Sequence, residues 1–287
     1  MFTIKIRVVG FTLPYFERIV VFITFVTVQR VSRRVLFENF MDSVRGELIM
    51  IQDRRFALYF RLCAFLFAVA GLLKQIGAFG GAINFNSFMY YTIQSNLLAI
   101  LFFAFLTIRT AKGLREGRKG TAGWHSRLGM VCAVDLLVTL IVFWALLAPQ
   151  DIDPKYLWTF ENMAVHAITP LLCLLDYIFF SNSHRLKYRD VYYICIFPVC
   201  YVAFTSISGL MGHVYYYVGV TSGPLSSHIE TVPVRFPYFF LDYDRLGMMA
   251  MVYSGVILIF IIMLGHIFYL IDHKVRKPSA SIGELRG

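Results

Sequence analysis

Six apolar blocks, each about as long as a lipid bilayer is thick, decide what this chain can become. They cover residues 57–78, 86–108, 127–148, 157–180, 191–212 and 246–271. About 20 residues of helix cross a ~30 Å hydrocarbon core. Only helices and closed barrels satisfy every backbone group in lipid. The blocks are continuous and lack the period-2 alternation of barrel strands. The fold class is therefore all-α: a polytopic transmembrane bundle of about six spans. It occupies residues 56–272, between an N-terminal extension (1–55) and a basic tail (273–287). Composition agrees. Hydrophobic residues make up 58% of the chain and charged residues only 15%, too little polar surface for a water-soluble domain. The 28 Phe and 17 Tyr suit the lipid interface.

The net charge is +10, which in a soluble protein would suggest nucleic acid. Here the basic residues lie in short loops between apolar blocks. They read as topology determinants and as attraction for anionic lipid, so membrane lipids are the expected partners and nucleic acid is not. One side carries 17 Lys and Arg, in groups at 45–61, 109–127, 185–189 and 274–286. The other carries four: Lys74, Lys155, Arg235 and Arg245. Positive residues favour the cytoplasm, so both termini are expected there, in the cell membrane. The five cysteines (Cys63, Cys132, Cys173, Cys195 and Cys200) all fall within apolar blocks, with no CxxC or zinc spacing. They read as small buried residues, and no metal or cofactor is expected.

Two regions resist a simple reading. Residues 19–29 (IVVFITFVTVQ) form a short apolar run after Glu17 and Arg18. The run is compatible with an interfacial helix, with a seventh span, or with translation starting at Met41. The connection 213–245 is aromatic and carries three prolines. It is expected to lie on the outer face and pack over the bundle, as a structural cap or as a lid over a cavity.

Polar groups inside a membrane are costly and mark sites or interhelical contacts. The second block carries Thr92, Ser95 and Asn96 on one helical face; the fourth carries Asn162, His166 and Thr169 on another. Pro170 frees the carbonyl of His166. Counted from the block edges, Thr92 lies ~9 Å deep and His166 ~13 Å deep, so the two share a height. A Thr hydroxyl beside a neutral His is a nucleophile with its general base; each residue alone is equally compatible with helix bonding and helix bridging. Asp135, the most buried acid by position, stands near the same height. It is open to three readings: orienting the imidazole, being protonated, or bonding a neighbouring helix. Asp176 and His266 fall near block ends, where snorkelling explains them; Glu161 falls near the opposite end of its block.

The stretches YYTIQSNLL (90–98), AVHAITPLLCLLDYIFF (164–180) and RFPYFFLDYDRLG (235–247) together resemble the bacterial six-helix branch of the androgen-induced-protein-like integral membrane family. The resemblance spans residues 57–271. Animal members of that family are threonine hydrolases that cleave fatty acid esters of hydroxy fatty acids. It implies Thr92 as nucleophile and His166 as base, acting on a fatty acyl ester that enters from the outer leaflet. Asn96 or Ser95 would then donate to the oxyanion, Asn162 would support the site, and Arg235 would hold a free substrate carboxylate. The competing expectation is a non-enzymatic membrane protein, a small transporter or lipid-binding scaffold. Asp135 alone of the acids stands firmly inside the blocks, which weakens transport.

Overall fold

The structure, a computed structural model, describes residues 51, 53–119, 122–150, 154–182, 185–221 and 229–275. The expectations for residues 1–50 and for the tail beyond 275 lie outside the described residues. Among the described residues, six helices are long and apolar enough to cross a membrane: α1 (Arg54–Gln75), α2 (Tyr91–Arg115), α3 (Ser126–Leu147), α4 (Phe160–Phe180), α5 (Tyr188–Leu210) and α6 (Met249–His273). The chain is a multi-pass membrane protein, an all-α bundle with, among the described residues, one small β-hairpin.

Five of the six helices start and end within a turn of the expected blocks. The exception is α2. Phe85–Met89 forms a separate 3₁₀ turn in which Asn84 accepts from the Asn86 N–H. Tyr90 is then extended, with φ −89° and ψ 140°, and α2 begins only at Tyr91. At its other end α2 continues through Arg109, Lys112 and Arg115, because charged residues with good helix propensity extend a helix past the apolar block. Thr92 is thus the second residue of its helix, while His166 lies six residues into α4, or ~9 Å. The offsets counted from block edges therefore change, while one Asn96 amide nitrogen still reaches the carbonyls of both Thr92 and Val165.

The central helix is α3, which touches α2, α4, α5 and α6; α1 lies against α2 and α4. Small residues permit the close approaches. A Cβ at Gly71 of α1 would collide with Ala164 of α4, and one at Gly265 of α6 with Ile194 and Val191 of α5. Phe103, Leu136 and Ala99 fill the core between α2 and α3. Large apolar side chains such as Ile108 (71% exposed) and Leu210 (75% exposed) point outward, as a lipid-facing surface requires.

Three acids toward the arginine-rich end, Asp176, Asp190 and Asp272, are buried and satisfied, which corrects two expectations. Asp176 does not snorkel. It is buried and pairs with Arg61, Nε to Oδ1 at 2.6 Å. Arg61 also donates to Thr110 Oγ1 (2.7 Å) and the Ala122 carbonyl (3.0 Å), so it is an internal group of α1 rather than a flanking charge. Asp135 is not uniquely buried either: Asp176, Asp190 and Asp272 are as deeply enclosed. Asp190 pairs with Arg127 at 2.8 Å, and Asp272 accepts from the Arg185 and Leu186 amides.

Within the 213–245 connection, β1 (Tyr216–Thr221) and β2 (Ile229–Val234) form an antiparallel hairpin with Tyr216 opposite Val234. It is tied to the turn before α2. Asn86 Nδ2 donates to the Tyr215 carbonyl at 2.6 Å, and His213 Nε2 donates to Asn86 Oδ1 at 2.9 Å. Phe236 seats in the notch left by Gly209 of α5, where any Cβ would collide with its ring. The connection therefore packs over the bundle end opposite the arginines.

Candidate functional site

A regular helix through residue 170 would leave the His166 carbonyl unpaired, since Pro170 has no N–H. The chain answers with a π turn over Ala164–Ile168 and with an indole from the neighbouring helix. Trp144 Nε1 of α3 donates to the His166 carbonyl at 3.2 Å. The adjacent Phe143 stacks on the imidazole, with ring centroids 3.6 Å apart and planes 18° from parallel. Phe143–Leu147 is itself a π turn. Two such bulges, a feature frequent at functional sites, thus meet at one histidine. His166 Nδ1 lies 3.2 Å from the Asn162 carbonyl. A carbonyl can only accept, so Nδ1 carries the proton, and in the neutral ring Nε2 keeps its lone pair. Asn162 supports the site through its backbone; its own amide nitrogen donates to the Leu157 carbonyl.

Asn96 joins the two polar stripes. Its Nδ2 donates to the Thr92 carbonyl at 2.8 Å and to the Val165 carbonyl at 3.0 Å. One buried amide therefore grips the backbone of Thr92 and of the residue beside His166, and α2 and α4 are neighbours. Ser95 Oγ donates to the Thr92 carbonyl at 3.1 Å and lies 2.9 Å from Thr139 Oγ1 of α3. Both amide hydrogens of Asn96 are committed, and the single hydroxyl hydrogen of Ser95 already has takers. Neither residue is set to donate to an oxyanion; they hold Thr92 in place instead.

For Asp135 the contact with a neighbouring helix, one of its three readings, is the one that fits, and for Arg235 the expected role changes. Asp135 faces the Tyr91 hydroxyl of α2, 3.5 Å away, and the nitrogen it would orient is already held by Asn162. Arg235 is engaged in a two-point ion pair with Asp244, with Nε to Oδ2 at 2.8 Å, so it is not a free cation awaiting a carboxylate. Glu161, at the same end of the bundle, pairs with Lys74 at 3.3 Å.

Thr92 stands where two cavities meet. One, of about 340 Å³, is almost wholly apolar and lies among α3, α5 and α6. The other, a vestibule of about 1110 Å³, lies beneath the hairpin and contains His166, Gln75 and Arg235. Thr92, Phe143, Leu147 and Tyr238 border both. Tyr238 is the residue that sequence reasoning did not single out. It lies within the aromatic stretch 235–247, and its phenol interacts with the Thr92 side chain. Burial pushes that phenol up from its ordinary value, which keeps it an O–H donor. Among the described residues, no three or more His, Cys, Asp or Glu side chains gather as a metal site. Protein-family models, curated proteins and solved structures yield no match to this chain.

Proposed function

We propose that this protein is a membrane-embedded hydrolase of fatty acyl esters, with Thr92 as nucleophile and His166 as general base. The carrying observation is the position of Thr92, at the junction of an apolar cavity and a polar vestibule that also holds His166. An amphiphilic ester fits that junction, with its acyl chain among α3, α5 and α6 and its polar end beneath the hairpin. The similarity of the three sequence stretches to the androgen-induced-protein-like family points to the same two residues, and we infer kinship with its six-helix bacterial branch.

The chemistry is acyl transfer. Thr92 Oγ1 attacks the ester carbonyl carbon as its proton passes to His166 Nε2. The negative charge formed on the carbonyl oxygen takes a hydrogen bond from Tyr238, a role suited to a phenol held protonated. The C–O bond to the leaving alcohol breaks, and that oxygen takes the proton from Nε2. Water, deprotonated by Nε2, then attacks the acyl-threonine. The acid leaves, and Thr92 regains its proton. The excess of positive residues around the Arg61 end assigns that end to the cytoplasm, so substrate arrives from the outer leaflet.

Fluorophosphonate labelling of the full chain in detergent tests this reading. Labelling of wild type, and its loss in Thr92→Ala, are expected. Equal labelling of both proteins overturns it. A second reading, a lipid-binding protein without chemistry, draws on the nearly unbroken apolar lining of the smaller cavity; lipid bound by a chain that neither labels nor hydrolyses would favour it.

A further inference from the structure

About 27 Å along α2 from Thr92, at Thr110, the opposite end of the bundle holds a second feature unrelated to the proposed hydrolysis. Arg54 and Arg61 of α1, Arg109 of α2 and Arg118 line a pocket of about 50 Å³ with Thr110 and Gly113. That volume holds a few waters or one tetrahedral anion. Gly113 lets the arginines converge: a Cβ there would stand 3.1 Å from Arg54 Nη1 and 3.7 Å from Arg118 Cδ.

The charges do not cancel. Arg61, the buried floor of the pocket, is neutralised by Asp176. Arg118 is neutralised by Glu116 at 2.6 Å. Among the described residues, Arg54 and Arg109 form no ion pair. Asp53, next to Arg54, instead caps α1 through the Arg55 and Phe56 amides. Arg109 rests on the Trp124 ring, 5.3 Å from its centroid. Among the described residues, Arg54 reaches only the Lys119 carbonyl, at 3.4 Å, and its buried Nε has no partner. Two guanidiniums with no ion pair among the described residues thus flank a hole of anion size beside a buried third. Guanidinium forks match phosphate oxygens in geometry and charge, and basic pockets at a membrane surface recruit anionic headgroups.

We propose that this four-arginine pocket binds a phosphate group, with Arg54 and Arg109 supplying the unspent charge. The phosphate belongs to an anionic lipid headgroup or to a free phosphate ion, and two probes separate the sources. The full chain in neutral detergent is titrated with phosphatidylglycerol, against phosphatidylcholine, and separately with inorganic phosphate, while thermal unfolding and apparent affinity are followed. Protection by phosphatidylglycerol alone assigns the headgroup; equal protection by inorganic phosphate assigns the free ion. Removing two charge-assisted contacts in Arg54→Gln/Arg109→Gln weakens binding about tenfold or more. Removing two exposed charges of the same end in Lys112→Gln/Arg115→Gln leaves it within about twofold, as for weakly held surface charge. Arg109→Ala alone, which removes one of the two contacts, reads a smaller loss in the same direction if the double variant does not fold. The proposal is overturned if neither probe protects the wild type, or if the surface pair loses as much as the pocket pair.

Discussion

An imidazole whose Nδ1 hydrogen is committed to the Asn162 carbonyl offers its Nε2 lone pair to an acidic hydrogen on its other side. That commitment, with Phe143 stacked on the ring and Trp144 on the carbonyl, makes His166 a base of fixed tautomer. His166→Gln is accordingly expected to lower ester hydrolysis about 10²–10⁴-fold, measured on a chromogenic acyl ester, with folding unchanged by thermal unfolding. Tyr238→Phe removes one donor to the developing oxyanion. It is expected to lower kcat about 10²-fold with little change in KM. Burial raises the Tyr238 pKa, so the folded state holds the phenol proton above the ordinary phenol range. The factor of loss should therefore stay constant from about pH 6 to about pH 9. Thr92 and His166 were legible in the sequence because a polar group in an apolar block is costly and stands out. Tyr238 was not: among 17 tyrosines and 28 phenylalanines, one more aromatic carries no signal until its neighbours are known. The same blindness to neighbours assigned Asn96 and Ser95 to an oxyanion, when their hydrogens hold the Thr92 carbonyl.

At the scale of elements, hydropathy marked where the chain crosses lipid and not where helices end. The extended Tyr90 and the charged last turns of α2 shift that helix's bounds toward the basic end relative to its apolar block. The internal pair between α1 and α4 was also hidden, since Arg61 and Asp176 each look like a flanking charge in one dimension. Arg61→Met strands a buried carboxylate and is expected to cost about 3–5 kcal/mol, read by thermal or denaturant unfolding in detergent. Arg61→Met/Asp176→Leu should recover most of that loss, because an apolar pair replaces the ions without stranding either. The apolar cavity allows a gentler test. A Cβ at Gly255 of α6 would meet nothing within 4 Å, and this glycine borders the cavity. Gly255→Phe is expected to slow hydrolysis of long-chain esters about tenfold and to spare short-chain esters, as read from kcat/KM across a chain-length series.

For the whole molecule, six apolar blocks became six spanning helices around a central α3. That much follows from a count of residues against bilayer thickness. Which helices touch does not follow, because side-chain notches such as Gly71 against Ala164 decide it. The hairpin beneath which the vestibule lies escaped notice too, since period-2 alternation in six residues is lost among aromatics. The proposed topology puts the arginine-rich end in the cytoplasm; on that proposal, topology reporters fused after Val275 should report inside and reporters inserted at Gly212 should report outside. The central claim is the acyl-threonine itself. The most direct measurement incubates the full chain with an activated long-chain ester, quenches in acid, and maps the acyl mass by peptide sequencing. An acyl group on Thr92, which builds up early in turnover and is absent from His166→Gln, is the result this account expects. Ester turnover with Thr92 unmodified, or an acyl group carried by another side chain while Thr92→Ala keeps full activity, would contradict it.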